Sequence, residues 1–170
     1  NRVKLTAVGD PFKFRADNAL KELKNKHDKH VDAKTFIGVD AYKEVIASDV
    51  DMVILTSPPG FRPLHFETAV KAGKHVFMEK PVATDAPGVR RVLEANKIAK
   101  EKKLAVAVGL QRHHQSDYKA TIKMLKEGAI GDIILTRAYW NGDGVWTRNR
   151  QPDQTEVEYQ LNNWYYFNWL

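Results

Sequence analysis

Short apolar runs that end in turn residues, alternating with stretches of helical periodicity, fill the first 110 residues and restrict the fold more than any other feature. Residues 3–8 form one such run, stopped by Gly9-Asp10-Pro11. Residues 35–39 form a second, and residues 51–56 (DMVILT) a third, stopped by Ser57-Pro58-Pro59-Gly60. Residues 75–78 and 104–110 complete the set. Runs this short and this apolar suit strands covered on both faces. Between them, Ala16, Ala19, Leu20 and Leu23 recur at helical spacing, and Asp40 is placed to cap a brief helix through Ile46. Pro63 and Gly73 bracket a third helix, and Thr84 or Asp85 opens a longer one with Val89, Val92, Leu93 and Ala99 on one side. The alternation predicts an α/β fold with a doubly wound parallel sheet, whose ligands bind beyond the carboxyl ends of the strands.

The texture changes after residue 113. Tyr118, Ile122 and Leu125 mark a helix closed by Gly128, residues 132–140 read as a strand, and the last thirty residues hold Trp146, Trp164 and Trp169. We therefore expect a boundary near 111–118, with one domain over residues 1–112 and the beginning of a second over 113–170.

Composition narrows the chemistry. Hydrophobic residues make up 43% and charged residues 28%, a globular balance. The 27 basic and 21 acidic side chains leave a net charge of +6, scattered rather than gathered into the patch that nucleic acid demands. The absence of cysteine excludes disulfides, thiolate metal sites and thiol catalysis. No apolar run approaches the ~18 residues that suggest a membrane span.

Polar residues gather at the strand ends. Asp10 can accept hydrogen bonds from a ribose, or serve as a turn residue before a proline. The Thr56-Ser57-Pro58-Pro59 turn can seat a flat ring or a phosphate, or be a rigid loop. His65, in the first turn of a helix, can touch an anion or be structural. Glu79-Lys80-Pro81 closes a buried strand, where desolvation and a nearby cation would bring the lysine toward the range useful for proton transfer; a surface Glu–Lys pair is the plainer reading. Arg112, in the run Gln111-Arg112-His113-His114, can bind phosphate or substrate, whereas the spacing builds no metal site. Tyr139, Trp140, Trp146 and Arg148 can form an aromatic, cationic wall for a sugar or simply pack. A GxGxxG loop is absent, since Gly142-Asp143-Gly144 lacks the third glycine and comes far too late.

Taken together, the segments VKLTAVGDPF, DVDMVILTSPPGFRPLHFETAVKAGKHVFMEKPVATD and AVAVGLQRHHQSDYKATIKMLKEGAIGDI resemble the Gfo/Idh/MocA family of oxidoreductases. The resemblance implies a Rossmann domain for a nicotinamide dinucleotide, followed by an α/β substrate domain with an open sheet. By position, Asp10 matches the acid that holds the adenosine ribose, which favours NAD over NADP. Ser57, Pro58 and His65 match residues along the phosphate and adenosine path. Glu79 matches the glutamate near the nicotinamide ribose, and Lys80 the lysine beside the nicotinamide and the reacting carbon. The Lys80–Pro81 bond is expected to be cis. Gln111 and Arg112 match positions near the nicotinamide, while Tyr139, Trp140 and Arg148 are carried as substrate-binding candidates.

The family's first strand and glycine loop are expected before Asn1, and its partner Asp and His beyond Leu170, so the chain reads as an internal fragment. The activity implied is hydride transfer between NAD and a secondary alcohol of a sugar-like substrate. Alternatives are an NAD-dependent, redox-neutral glycoside hydrolase and a noncatalytic binding module. Expected partners are a small sugar-like molecule and further copies of the chain through the second-domain sheet, with no nucleic acid and no membrane. The cytoplasm is favoured as the compartment, with export left open.

Overall fold

The structure is a computed structural model that describes residues 3–27 and 31–170, with His27 described by its backbone alone. Two compact units separate, residues 1–108 with 168–170 and residues 109–167.

In the first unit the expected order is the order found: β1 (Ala7–Asp10), α1 (Lys13–His27), β2 (Lys34–Ile37), α2 (Ala41–Ala47), β3 (Met52–Leu55), α3 (Arg62–Lys71), β4 (His75–Met78), α4 (Ala86–Glu101) and β5 (Val106–Val108). Among the described residues all pairings are parallel, in two sheets ordered β1-β2 and β3-β4-β5. Strand limits follow the partners rather than the apolar runs. The first run was expected over residues 3–8, but β1 starts at Ala7, opposite Lys34, and continues to Asp10 opposite Ile37. The last was expected over 104–110, but β5 covers only the residues that face Val76 to Met78 of β4.

Local chemistry sets the helices. Asp85 caps α4 by accepting from the Gly88 amide at 2.7 Å, with Pro87 in the first turn. Asp40 stands at the N-cap of α2 but makes no side-chain cap bond, its carboxylate pairing instead with Lys43 at 2.8 Å. Gly73, at φ 75°, ends α3 in the left-handed region that glycine enters without steric penalty. Phe66, Ala69 and Val70 of α3 pack with Val92, Ala95 and Ala99 of α4 and with Val53, Leu55, Val76 and Met78 of the strands to form the core. Lys102 closes the far end of α3 by donating to the Lys71 carbonyl at 2.5 Å.

The second unit holds α5 (Ser116–Lys126), with Gly128 at φ 86° beyond its end, and α6 (Glu156–Asn162). The strand expected over residues 132–140 is not formed: those residues are in no helix or strand, and Ile134 and Trp140 are 90% and 85% exposed. A strand exists only through a neighbour that takes its hydrogen bonds, and this segment has none among the described residues. No described helix is long and apolar enough to cross a membrane.

Candidate active site

The turns after β3 and β4 are joined by one side chain. Arg62 opens α3, is 2% exposed, and donates Nη2 to the Ser57 carbonyl and Nη1 to the Pro81 carbonyl. Its Nε is buried without a hydrogen-bond partner among the described residues, a loss of about 1–3 kcal/mol for such a group. Desolvation pushes the guanidinium below its ordinary pKa, and the charge of Glu79 acts in the opposite direction.

One turn further along α3, His65 is buried. Its Nδ1 lies 3.1 Å from the Ser57 hydroxyl, and its ring stacks on Tyr42 with centroids 4.0 Å apart and on Phe61 at 5.8 Å. Burial first, and the Arg62 charge second, push its pKa down to about 4. The imidazole is therefore uncharged at neutral pH, and it meets an anion only as a dipole, not as the cation that a helix-start histidine can supply.

Asp10 ends β1, half-buried. Its Oδ1 accepts from the Phe12 amide at 2.8 Å, which leaves Oδ2 for a hydroxyl. Burial raises its pKa, while the Phe12 bond and the charge of Arg15 lower it. Gly9 before it faces α2 so closely that a Cβ would stand 2.9 Å from Val45 Cγ2.

Lys80 departs from expectation. It is exposed, so the desolvation foreseen for a lysine at the end of a buried strand is not present. Among the described residues its amine makes no side-chain hydrogen bond and no ion pair with Glu79. The Lys80–Pro81 bond is cis.

In the second unit, Gln111 and Arg112 lie in a single 3-10 turn, Gln111–His113. Arg112 donates to Gln115 Oε1 at 3.0 Å and lies 5.3 Å from the Tyr118 ring centroid and 5.8 Å from that of Trp140. The four-residue wall divides. Arg148 sits over Trp146 at 4.2 Å, Trp140 goes with Arg112, and Tyr139 is 73% exposed.

Sequence reasoning missed two buried polar groups. Asn163, 3% exposed, accepts from the Arg148 amide at 2.7 Å and donates to the Arg148 carbonyl at 3.1 Å, doing for that segment what a neighbouring strand would do. Arg62 could have been found by its misfit: a cation at the positive end of a helix opposes the dipole and needs a reason to be there.

The residues present suit a nicotinamide dinucleotide. Asp10 offers a ribose acceptor at a strand end, and the Ser57-Pro58 turn and the Glu79-Lys80 turn are held together. The Gfo/Idh/MocA profile, an oxidoreductase family with an NAD-binding Rossmann fold, matches residues 1–110. Inositol 2-dehydrogenase from Serratia proteamaculans is 36% identical over 135 residues, 78% of this chain and 36% of that protein. The Klebsiella pneumoniae enzyme of the same name is 38% identical over 109 residues, 62% of this chain and 31% of that protein. The chain thus spans about a third of the curated relatives it matches. Among solved structures, scyllo-inositol dehydrogenase from Lactobacillus casei with bound NAD(H) and scyllo-inositol superposes with a TM-score of 0.61 at 28% identity, over 76% of this chain and 35% of that one. A 3-ketoreductase from Actinomadura kijaniata in complex with NADP and TDP-benzene gives 0.57 at 26% identity, over 76% and 36%.

Proposed function

This chain belongs to the Gfo/Idh/MocA oxidoreductase family, and on that footing we propose that the whole protein oxidises or reduces a secondary alcohol of a cyclic polyol or sugar. Residues 1–112 are the cofactor-binding part and residues 113–170 the beginning of the substrate and oligomerisation part. The dinucleotide, when bound, supplies the hydride acceptor or donor at its nicotinamide ring.

The chain's own residues do the rest. Asp10 holds the adenosine ribose through its second carboxylate oxygen, and a free 2′-hydroxyl suits an acceptor-only carboxylate better than a 2′-phosphate does, which favours NAD. Ser57, Pro58 and the neutral face of His65 line the phosphate and adenosine path. Glu79 accepts from the nicotinamide ribose, and Gln111 and Arg112 border the nicotinamide. Lys80 hydrogen-bonds the reacting oxygen of the substrate and moves its proton. Tyr139, Trp140 and Arg148 contact the substrate.

The observation that carries this reading is the lysine-bearing turn lying beside the Ser57-Pro58 turn, set there by the β3–β4 pairing that ends with the Glu79 amide on the Leu55 carbonyl at 3.0 Å and tied further by Arg62. Replacing Lys80 by Met is expected to lower turnover of inositols by ~100-fold or more, the usual scale of a lost acid–base group, with NAD affinity nearly intact. The check is steady-state release of NADH by the whole protein, alongside NAD titration. Full turnover in Lys80→Met would refute the role.

A further inference from the structure

We infer that Arg62 is a positioning residue for Lys80, an inference that rests on the proton-handling role proposed above. Its guanidinium is a rigid planar fork, and its two terminal nitrogens grip carbonyls that belong to different turns, Ser57 after β3 and Pro81 after β4. The Pro81–Val82 peptide, one residue beyond Lys80, is therefore tied to the turn proposed to face the cofactor. Lys80 needs such a tie. Lys80 is exposed and its amine has no side-chain hydrogen bond among the described residues, so the backbone fixes where the side chain starts from.

Three features indicate that Arg62 does more than close a helix. It stands at the positive end of α3, where the dipole opposes it. Its Nε is left buried and, among the described residues, unpartnered while the two terminal nitrogens reach both carbonyls. The acid whose charge acts on it, Glu79, sits next to Lys80 in the chain. An apolar residue of similar size would fill the same space without any of these penalties, but past the last strand bond, from the Glu79 amide to the Leu55 carbonyl at 3.0 Å, it would leave the Ser57 and Pro81 carbonyls without this shared donor. Lysine at this position has a single ammonium in place of the fork, and it cannot hold both carbonyls in the same geometry.

The test is a kinetic cycle on the whole protein with four forms: wild type, Arg62→Lys, Lys80→Met, and the two combined. Arg62→Lys is expected to lower kcat by about 10-fold or more while leaving KM for NAD within about threefold. In the Lys80→Met background the same change should alter kcat by less than about twofold, because a residue that acts through an amine has nothing to act through once the amine is gone. Val70→Ala, a truncation in the core of the same helix that removes no bond to either turn carbonyl, controls for lost stability and should leave kcat unchanged. If Arg62→Lys does not accumulate as folded protein, Arg62→Gln, which keeps one donor, is read in the same cycle. Equal fold-losses with and without Lys80 would make the role purely structural and overturn the inference alone. A Lys80→Met form with full turnover would remove the proposed role of Lys80, and this inference with it.

Discussion

Burial holds His65 near a pKa of about 4, against 6.5 for a free imidazole. The folded chain therefore refuses a proton that the unfolded chain accepts between those two values. Stability is full above pH 6.5 and falls as the pH drops toward 4, with slope set by the proton bound only on unfolding. At about 1.4 kcal/mol per pKa unit, the whole loss is on the order of 3 kcal/mol. Urea denaturation of the chain at pH 7 and pH 4.5 should show it. His65→Gln, which keeps a polar atom toward the Ser57 hydroxyl, should lose less between the two pH values. Identical losses in both forms would mean that another group titrates. At this scale much of the candidate site was legible, because Asp10, Ser57, Glu79 and Lys80 stand where turn residues end apolar runs. Solvation was not legible: the chain sequence alone does not say that Lys80 lies open to water while Arg62, four residues past Pro58, is sealed.

One helix end carries a local penalty that can be measured. Lys103 follows α4 at φ 55°, in the left-handed region, where a side chain other than glycine is disfavoured by about 1–2 kcal/mol. The geometry is the usual helix stop, with the Leu104 amide reaching the Ala99 carbonyl at 2.8 Å. Lys103→Gly should therefore raise the urea midpoint, by up to ~1 kcal/mol after the added freedom of the unfolded chain is counted. A drop would show that the backbone here carries no penalty. Elements with signals of their own were readable in advance. The strand His75–Met78 came directly from the sequence, and Asp85 was one of the two caps, with Thr84, that the sequence offered for α4. Helix α6 went unnoticed although Thr155 and Glu158 form a capping box, with the Thr155 amide 2.8 Å from Glu158 Oε2 and the Glu158 amide 3.3 Å from Thr155 Oγ1. The run 132–140 had the composition of a strand and formed none, since composition cannot supply the neighbour that a strand requires.

At the scale of the molecule, the two units differ in how firmly their backbone is engaged. The core of the first joins strands and helices, whereas residues 132–141 of the second lie outside any helix or strand. Limited trypsin digestion of the chain should cut first at Arg137 and leave β3 to α4 intact, as mass spectrometry of the early fragments will record. Early cleavage at Lys71 or Arg91 instead would place the weak point in the core. The division of the first unit's strands into two sheets has a practical consequence. Among the described residues β1 is bonded only to β2 and β3 only to β4, so each keeps one flank of peptide groups that no described strand occupies. Bare flanks of this kind are templates for aggregation, and repulsion from a net charge of +6 is screened as ionic strength rises. The isolated chain should be handled dilute and in low-salt buffer, because its shelf life in a tube will be set by those flanks before it is set by its melting point.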